Sequence, residues 1–361
     1  VFDNRKIRDF WLGGGNYQQG HALDEDGNLW AWGYNGYGAL GLGDDQYQGY
    51  PRKVPYDFNR HGGIKKIIKT GYNSYIMTSV LTHDGVIHVA GYLPWIGENL
   101  YRSGANNGND YYAGGKSFSP MQQVFWGAGK TLEVNGSGLR SLWSLTDLYN
   151  DVDDFWVNMD QGAASMVIKQ KGTGMLYGVG NQQNYSFGTY DAFVATNPDF
   201  GDLHMSNTEL QYPVPMNATD SSGDIIDMKR SGGGNTDYRV RAFLHQGGRV
   251  NTVGSGDWEG KGRGTRNSWQ IRSDSIGKFP WELDASTEYG GLEMDTFEDI
   301  ACIHSGVNDD GFSMIGQNDK AYHVGACSGF DDAGNTQHSL YQSRINGCLL
   351  YTSDAADDDA C

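Results

Sequence analysis

The chain has 361 residues, of which 53 are Gly and 8 Pro, with 13% aromatic residues and a formal net charge of −17. The Gly share of about 15% is twice the usual, yet 22 Tyr, 14 Phe and 10 Trp exclude a disordered linker, and no Gly-X-Y period indicates collagen. No run approaches the roughly 18 apolar residues of a membrane span, and the acidity disfavours nucleic acid, whose binding rests on Lys and Arg neutralising phosphates. The one basic cluster, Lys65, Lys66 and Lys69, is too small to offset it. The composition fits a turn-rich all-β chain.

The elements repeat along the chain. An apolar pair, Phe10-Trp11, opens a strand, and a second strand ends at Leu23. Asp26-Gly27 then forms a tight turn, and a third strand runs through Trp32 to Gly33. A Gly placed after Asp between apolar runs accepts the positive φ that such a hairpin turn needs. The pattern returns with turn and closing glycines at Gly85 and Gly91, Gly174 and Gly180, and Gly248 and Gly254. In a fifth copy Asp319 stands at the turn and Gly325 closes. In every copy the turn residue lies six positions before the closing Gly. The opening pairs of copies two to five are Ile67-Ile68, Phe155-Trp156, Ile225-Ile226 and Ile300-Ala301.

Between copies lie loops of very unequal length. Those after the closing glycines carry Trp95, Tyr101, Tyr111 and Tyr112, then Tyr185 and Tyr190, then Trp258 and Trp269, among Asn, Gly and Ser. Tyr and Trp bring contact area at low entropy cost, and Asn, Gly and Ser adapt their hydrogen bonds, so these are the candidate recognition residues. In the longest insertion, Leu139, Leu142, Leu145 and Leu148 have helical spacing and predict a capping helix.

Residues 22–44 sharpen this reading. Ala22-Leu23-Asp24-Glu25-Asp26-Gly27, Trp32-Gly33, Asn35 and Gly38-Ala39-Leu40-Gly41-Leu42-Gly43 resemble a repeat of the regulator of chromosome condensation (RCC1-like) family, with Ala39 where the family has Gln. The other copies keep the hairpin and closing Gly but lose the Trp and the Gly-Leu-Gly tail. The resemblance implies a β-propeller of four-stranded blades, the five copies being part of a seven-bladed ring. A single domain over 1–347 is expected, with blades near 8–63, 64–151, 152–223, 224–296 and 297–347.

Chemical motifs are sparse. Gly36, Gly38 and Gly41 match a dinucleotide fingerprint, but Leu42-Gly43-Asp44-Asp45 cannot open the helix it requires. Gly127-Ala-Gly129-Lys130-Thr131 lacks the first Gly of a phosphate loop, its place being taken by Val124. No zinc spacing, calcium loop or nucleophile elbow is present, so no catalytic residue, cofactor or metal is assigned. Cys302 and Cys327 do not make a disulfide scaffold. Residues 348–361 read, as codons from Cys348 to Asp357, like a sequencing-library adapter, and are expected to be artefact. Without Asp354, Asp357, Asp358 and Asp359 the charge is −13.

The function expected is recognition of a protein or glycan surface, as in a viral tail or structural protein, virion-associated or extracellular. The alternatives are guanine-nucleotide exchange or chromatin-associated regulation, as the resemblance implies, and a propeller-based carbohydrate-active enzyme. The spacing carries no statement of oligomeric state.

Overall fold

The computed structural model describes residues 2, 4–13, 17–72, 75–92, 115–121, 131–133, 139–141, 150–160, 163–181, 209–216, 225–231, 239–248, 250–255, 281–282, 297–302, 311–316, 321–330 and 336–344. Among them the regular structure is strands and two short 3-10 turns, Gly36–Gly38 and Phe58–His61. The first sheet is β1 (Ile7–Gly13), β2 (Gln19–Asp24), β3 (Leu29–Gly33) and β4 (Gln48–Lys53), and the second β5 (Ile64–Tyr72), β6 (Tyr75–Thr82), β7 (Ile87–Gly91) and β8 (Gly115–Pro120). A two-stranded ribbon, β9 (Thr131–Glu133) with β10 (Leu139–Ser141), precedes the third sheet, which is β11 (Val152–Asp160), β12 (Ala163–Gln170), β13 (Leu176–Asn181) and β14 (Glu209–Pro215). The fourth is β15 (Ile225–Ser231), β16 (Arg239–His245), β17 (Val250–Ser255) and β18 (Trp281–Glu282), and the fifth β19 (Phe297–Cys302), β20 (Gly311–Gly316), β21 (Ala321–Phe330) and β22 (Thr336–Arg344). Each sheet is an antiparallel meander in chain order. The chain forms two compact units, residues 1–183 with 189–217, and residues 184–188 with 218–361.

In the first unit the apolar alternation of the strands builds two cores. Leu23, Leu29 and Ala31 of the first sheet meet Ile67, Val80 and Ala90 of the second, with Phe58 and Phe118. On its other face the second sheet sends Met77, Leu81, Ile87 and Val89 against Phe155, Val157, Met166 and Ile168 of the third. A strand buried on both faces reads as a near-continuous apolar run, which is the character of Ile76–Leu81 and Val86–Ala90.

A β-bulge sits at the same place in the first strand of every sheet, at Arg8, Lys65, Asp153, Ile226 and Glu298. The next residue is Asp in four of the five, and the carboxylates of Asp9, Asp154 and Asp227 accept the N–H of the residue that follows. This register corrects one expectation. Phe10, Ile67, Phe155 and Ile300 follow the bulge by two positions, and the fourth sheet places Met228 there; Ile225 stands instead where Ile7, Ile64 and Val152 stand. A second expectation also changes. Leu139–Ser141, assigned to a helix by spacing, is a strand hydrogen-bonded to β9, because pairing with Thr131–Glu133 satisfies its backbone; residues 142–149 lie outside the described residues.

Sheet edges are guarded. Pro51 in β4, Pro120 in β8, and Pro213 and Pro215 in β14 remove N–H donors from the outermost strands.

A candidate recognition face at the loop ends

Each sheet has two unlike ends. At one, the second and third strands join through the short turn: Gly27, Gly85 and Gly248 donate to the carbonyls of Asp24, Thr82 and His245, three residues back, at 2.9–3.0 Å. Their φ values of 80°, 88° and 88°, with 65° for Gly174 in its slightly longer turn, are left-handed and suit Gly. At the other end leave the connections from strand one to two and from strand three to four. The closing glycines sit there, with Gly33, Gly91 and Gly180 at φ 99°, 103° and 94°. A Cβ on Gly33 would lie 2.4 Å from the Gln18 carbonyl oxygen, and one on Gly91 would lie 2.4 Å from that of Ile76. Those same carbonyls accept the N–H of Tyr34 and Tyr92. The turn residue Asp319 lies outside the described residues, and Gly254 and Gly325 pair within their strands.

All eight candidate recognition residues fall in connections from a third to a fourth strand: Trp95, Tyr101, Tyr111 and Tyr112 after β7, Tyr185 and Tyr190 after β13, and Trp258 and Trp269 after β17. They lie outside the described residues. What is described at this end of the first sheet is an aromatic group that spacing had not singled out. Tyr17 and Tyr34 stack at 4.5 Å, with Tyr17 43% exposed. Tyr37, at φ 59°, packs on Tyr92 at 5.4 Å. Tyr47 and Tyr50, before and within β4, are 71% and 80% exposed. Burial, then the neighbouring Tyr17, raises the pKa of Tyr34. The loop holding these rings is fixed by Asn35, which donates to the carbonyl and carboxylate of Asp44 and accepts from Leu40 N–H. The Asp44 carboxyl is pushed up by partial burial, but the Gln46 N–H, Arg52 and Asn35 outweigh that and hold it below its ordinary value.

The glycines of the dinucleotide-like segment have a packing role. A Cβ on Gly38 would be 2.4 Å from Lys116 Cα, and one on Gly41 would be 2.3 Å from the Phe118 ring. Gly43 N–H donates to the Lys116 carbonyl at 2.7 Å. Gly38–Gly43 is thus pressed onto β8, sealing the first sheet against the second.

The turn end is more polar. His61 Nδ1 lies 2.8 Å from Asp84 Oδ2, and its Nε2 lies 3.5 Å from the Tyr56 hydroxyl. His88, buried beside His61 at 4.6 Å, has its pKa lowered to about 4 by burial and then by His61. This group ties the segment before β5 to the β6–β7 turn. The basic cluster is likewise engaged by its neighbours. Lys65 bonds to Asp153, Lys66 to Asp154 and the Phe155 carbonyl, and Lys69 Nζ is buried. Among the described residues no three His, Cys, Asp or Glu converge on a metal position, and no helix is long and apolar enough to cross a membrane.

The architecture recurs in solved structures. Yeast RCC1 (Prp20), crystallised bound to Kap60, matches with TM-score 0.52 and 15% identity over 96% of this chain and 65% of its own. Prp20p of Saccharomyces cerevisiae, studied with its binding to Gsp1p and histones, gives 0.51 and 16% over 96% and 67%. Human WBSCR16 gives 0.53 and 14% over 94% and 68%. The chain therefore spans about two thirds of the length of the structures it matches, and it has the fold of an RCC1-like β-propeller. Residues 26–73 match the family model for the regulator of chromosome condensation (RCC1) repeat, from the first Asp-Gly turn to the end of β5. That stretch carries the repeat signature, within a chain whose fold is similar to that of the RCC1-like propellers. No curated protein matches it.

Proposed function

We propose that the chain is a non-enzymatic recognition propeller that binds a protein partner through the loop ends of its sheets. The observation that carries this is the division between ends. Short, hydrogen-bonded turns close one end, while the aromatic, Asn- and Gly-rich connections leave from the other. Tyr17, Tyr47 and Tyr50 are exposed in the first sheet, and Trp95, Tyr101, Tyr111, Tyr112, Tyr185, Tyr190, Trp258 and Trp269 fall in sequence within the third-to-fourth strand connections of their own sheets. That Prp20 binds Kap60, and has been studied with Gsp1p and histones, favours a protein over a glycan, which remains the second ligand class to test. No exchange residues of the family can be transferred onto these divergent loops. The seven-bladed ring is part of this proposal. Phe10 and Leu12 are exposed, whereas Ile67 and Phe155, placed like Phe10, and Val157, placed like Leu12, are buried against the preceding sheet; this supports a further blade packing on the first.

The test is a glycan array probed with the full chain, beside affinity capture followed by lysine cross-linking. A protein partner should cross-link to Lys116, at the start of β8, and not to Lys6, Lys65 or Lys171 near the turns. Cross-links confined to the turn ends overturn the assignment, and retention on glycans with no protein captured transfers it to sugar.

A further inference from the structure

The seam between the first two sheets holds a group of polar atoms that their neighbours do not satisfy. Gln19 Oε1, His21 Nδ1, Lys69 Nζ and Thr78 Oγ1 are all buried without a hydrogen-bond partner. They are brought together by register. Lys69 pairs directly with Thr78 across β5 and β6, which puts both side chains on the face turned to the first sheet. Gly13 pairs with Gln19, and a Cβ on Gly13 would lie 3.3 Å from Lys69 Cβ. His21 is two residues further along β2, on the same face as Gln19, and feels the charge of Lys69. A bulkier residue than Gly13 would press on the lysine stem, so this seam is shaped around it.

The other two polar groups are already committed in part. Gln19 Nε2 donates to the Tyr34 carbonyl at 2.6 Å, and His21 Nε2 lies 3.4 Å from that of Leu40. With Nε2 as its donor, the neutral imidazole leaves Nδ1 as an acceptor. The titratable group coupled to Lys69 across the seam is His21 on β2; His88 on β7, with Tyr56, His61 and Asp84 beside it, lies further along the same face toward the turn end. Among the described residues no carboxylate is bonded to Lys69. Burial, then Lys69, pushes His21 well below its ordinary value against the opposing Leu40 carbonyl, and His88 is also held neutral. Burial lowers the pKa of Lys69 to about 7, so its charge can change near neutral pH.

An ammonium in this seam would have no counter-charge, and a buried unpaired cation is strongly disfavoured. It has an exit. Lys69 as a whole is part-exposed although its Nζ is covered, and it lies three residues before the end of β5, close to the loop end. A four-carbon stem can carry the charge to water while its methylenes stay packed.

We propose that Lys69 is a proton-operated joint between the first two sheets: neutral, its amine stays folded into the seam, and protonated, it turns out to solvent and lets water reach Gln19, His21 and Thr78. The first strands of the two sheets, β1 and β5, then loosen at the loop end beside the Tyr17–Tyr34 stack. The device does not depend on what the loops bind.

The experiment uses the full chain carrying carbon-13 lysine, with the Lys69 Cε signal assigned by its loss in Lys69→Met. The expected midpoint is near 7, against about 10.4 for an ordinary lysine. In parallel, amide exchange of β1, β2, β5 and β6 is followed at pH 6 and pH 8.5 and corrected for intrinsic rates. Protection should fall by roughly tenfold at the lower pH in the wild type. It should stay high at both in Lys69→Met and low at both in Lys69→Arg, which is always charged. A midpoint near the ordinary lysine value, or the same pH dependence in Lys69→Met as in the wild type, overturns the proposal. Should Lys69→Arg not fold, the titration and the Lys69→Met exchange decide it alone.

Discussion

Gly33 and Gly91 are held to glycine twice, by positive φ and by a carbonyl oxygen 2.4 Å from where a Cβ would stand. Gly172 meets only the first condition, with φ 71° and nothing within 4 Å. Gly33→Ala or Gly91→Ala should therefore destabilise by about 3 kcal/mol or more, and Gly172→Ala by about 1 kcal/mol, read from denaturant midpoints. Asp24 is the second residue of consequence. Burial raises its carboxyl pKa, but the Trp30 indole N–H, the Asn28 donors and Arg5 outweigh that and hold it below its ordinary value. A depressed carboxyl stabilises the fold above the unfolded pKa, and that contribution is lost as pH falls through the folded one. Asp24→Ala should cost about 2 kcal/mol at neutral pH, by leaving the buried Trp30 N–H unpaired, and should flatten the acid limb of the stability curve. The glycines were legible because a fixed six-residue offset exposes them. Asp24 was not, since Asp24-Glu25-Asp26 reads as one acidic turn until the structure buries the first carboxylate and leaves Asp26 exposed.

At the scale of elements, the bulge repeated in every first strand sets which residues face the neighbouring sheet. The apolar pair marked the first strand in all five copies, but a two-residue motif cannot reveal a bulge, so the fourth copy was read out of register. The same limit applies to Leu139–Ser141, where a pairing partner and not the spacing of leucines decides. Between the second and third sheets, Lys66 reaches Asp154 at 2.7 Å and the Phe155 carbonyl at 3.0 Å, with its ammonium 4.9 Å from the centre of the Trp156 ring. It is only part-buried, so Lys66→Met should lower stability by about 1 kcal/mol. A double-mutant cycle with Asp154→Asn should show coupling between the two. Additive effects would mean that the pair does not clamp these sheets.

At the scale of the whole molecule, a net charge of −17, with Lys65 and Lys66 paired to Asp153 and Asp154 and Lys69 Nζ buried, leaves no unpaired basic cluster from these residues for phosphates. Fluorescence anisotropy with labelled duplex DNA should show no binding at physiological salt, and a steep salt-dependent affinity would contradict this. The fold was legible at this scale because repetition multiplies a weak local signal five times. The recognition face was legible only as a list of aromatic loops. Its exposed tyrosines in the first sheet, Tyr17, Tyr47 and Tyr50, were hidden because they flank the family-like motif of residues 22–44 singly and not as an aromatic loop.

The prolines of the outer strands bear on how such a chain assembles. Its sheets share one strand pattern, so during folding the first three strands of one copy offer a plausible template for the fourth strand of another. An outer strand interrupted at Pro51, at Pro120, or at Pro213 and Pro215 pairs at only a few positions: β4 meets β3 at Lys53, Arg52 and Gln48, and β8 meets β7 at Pro120, Ser119 and Gly115. So sparse a ladder forms only where chain connection already holds the strand in place. Strand exchange between copies, or between molecules, is thereby discouraged at the step where repeats of one strand pattern are most easily confused.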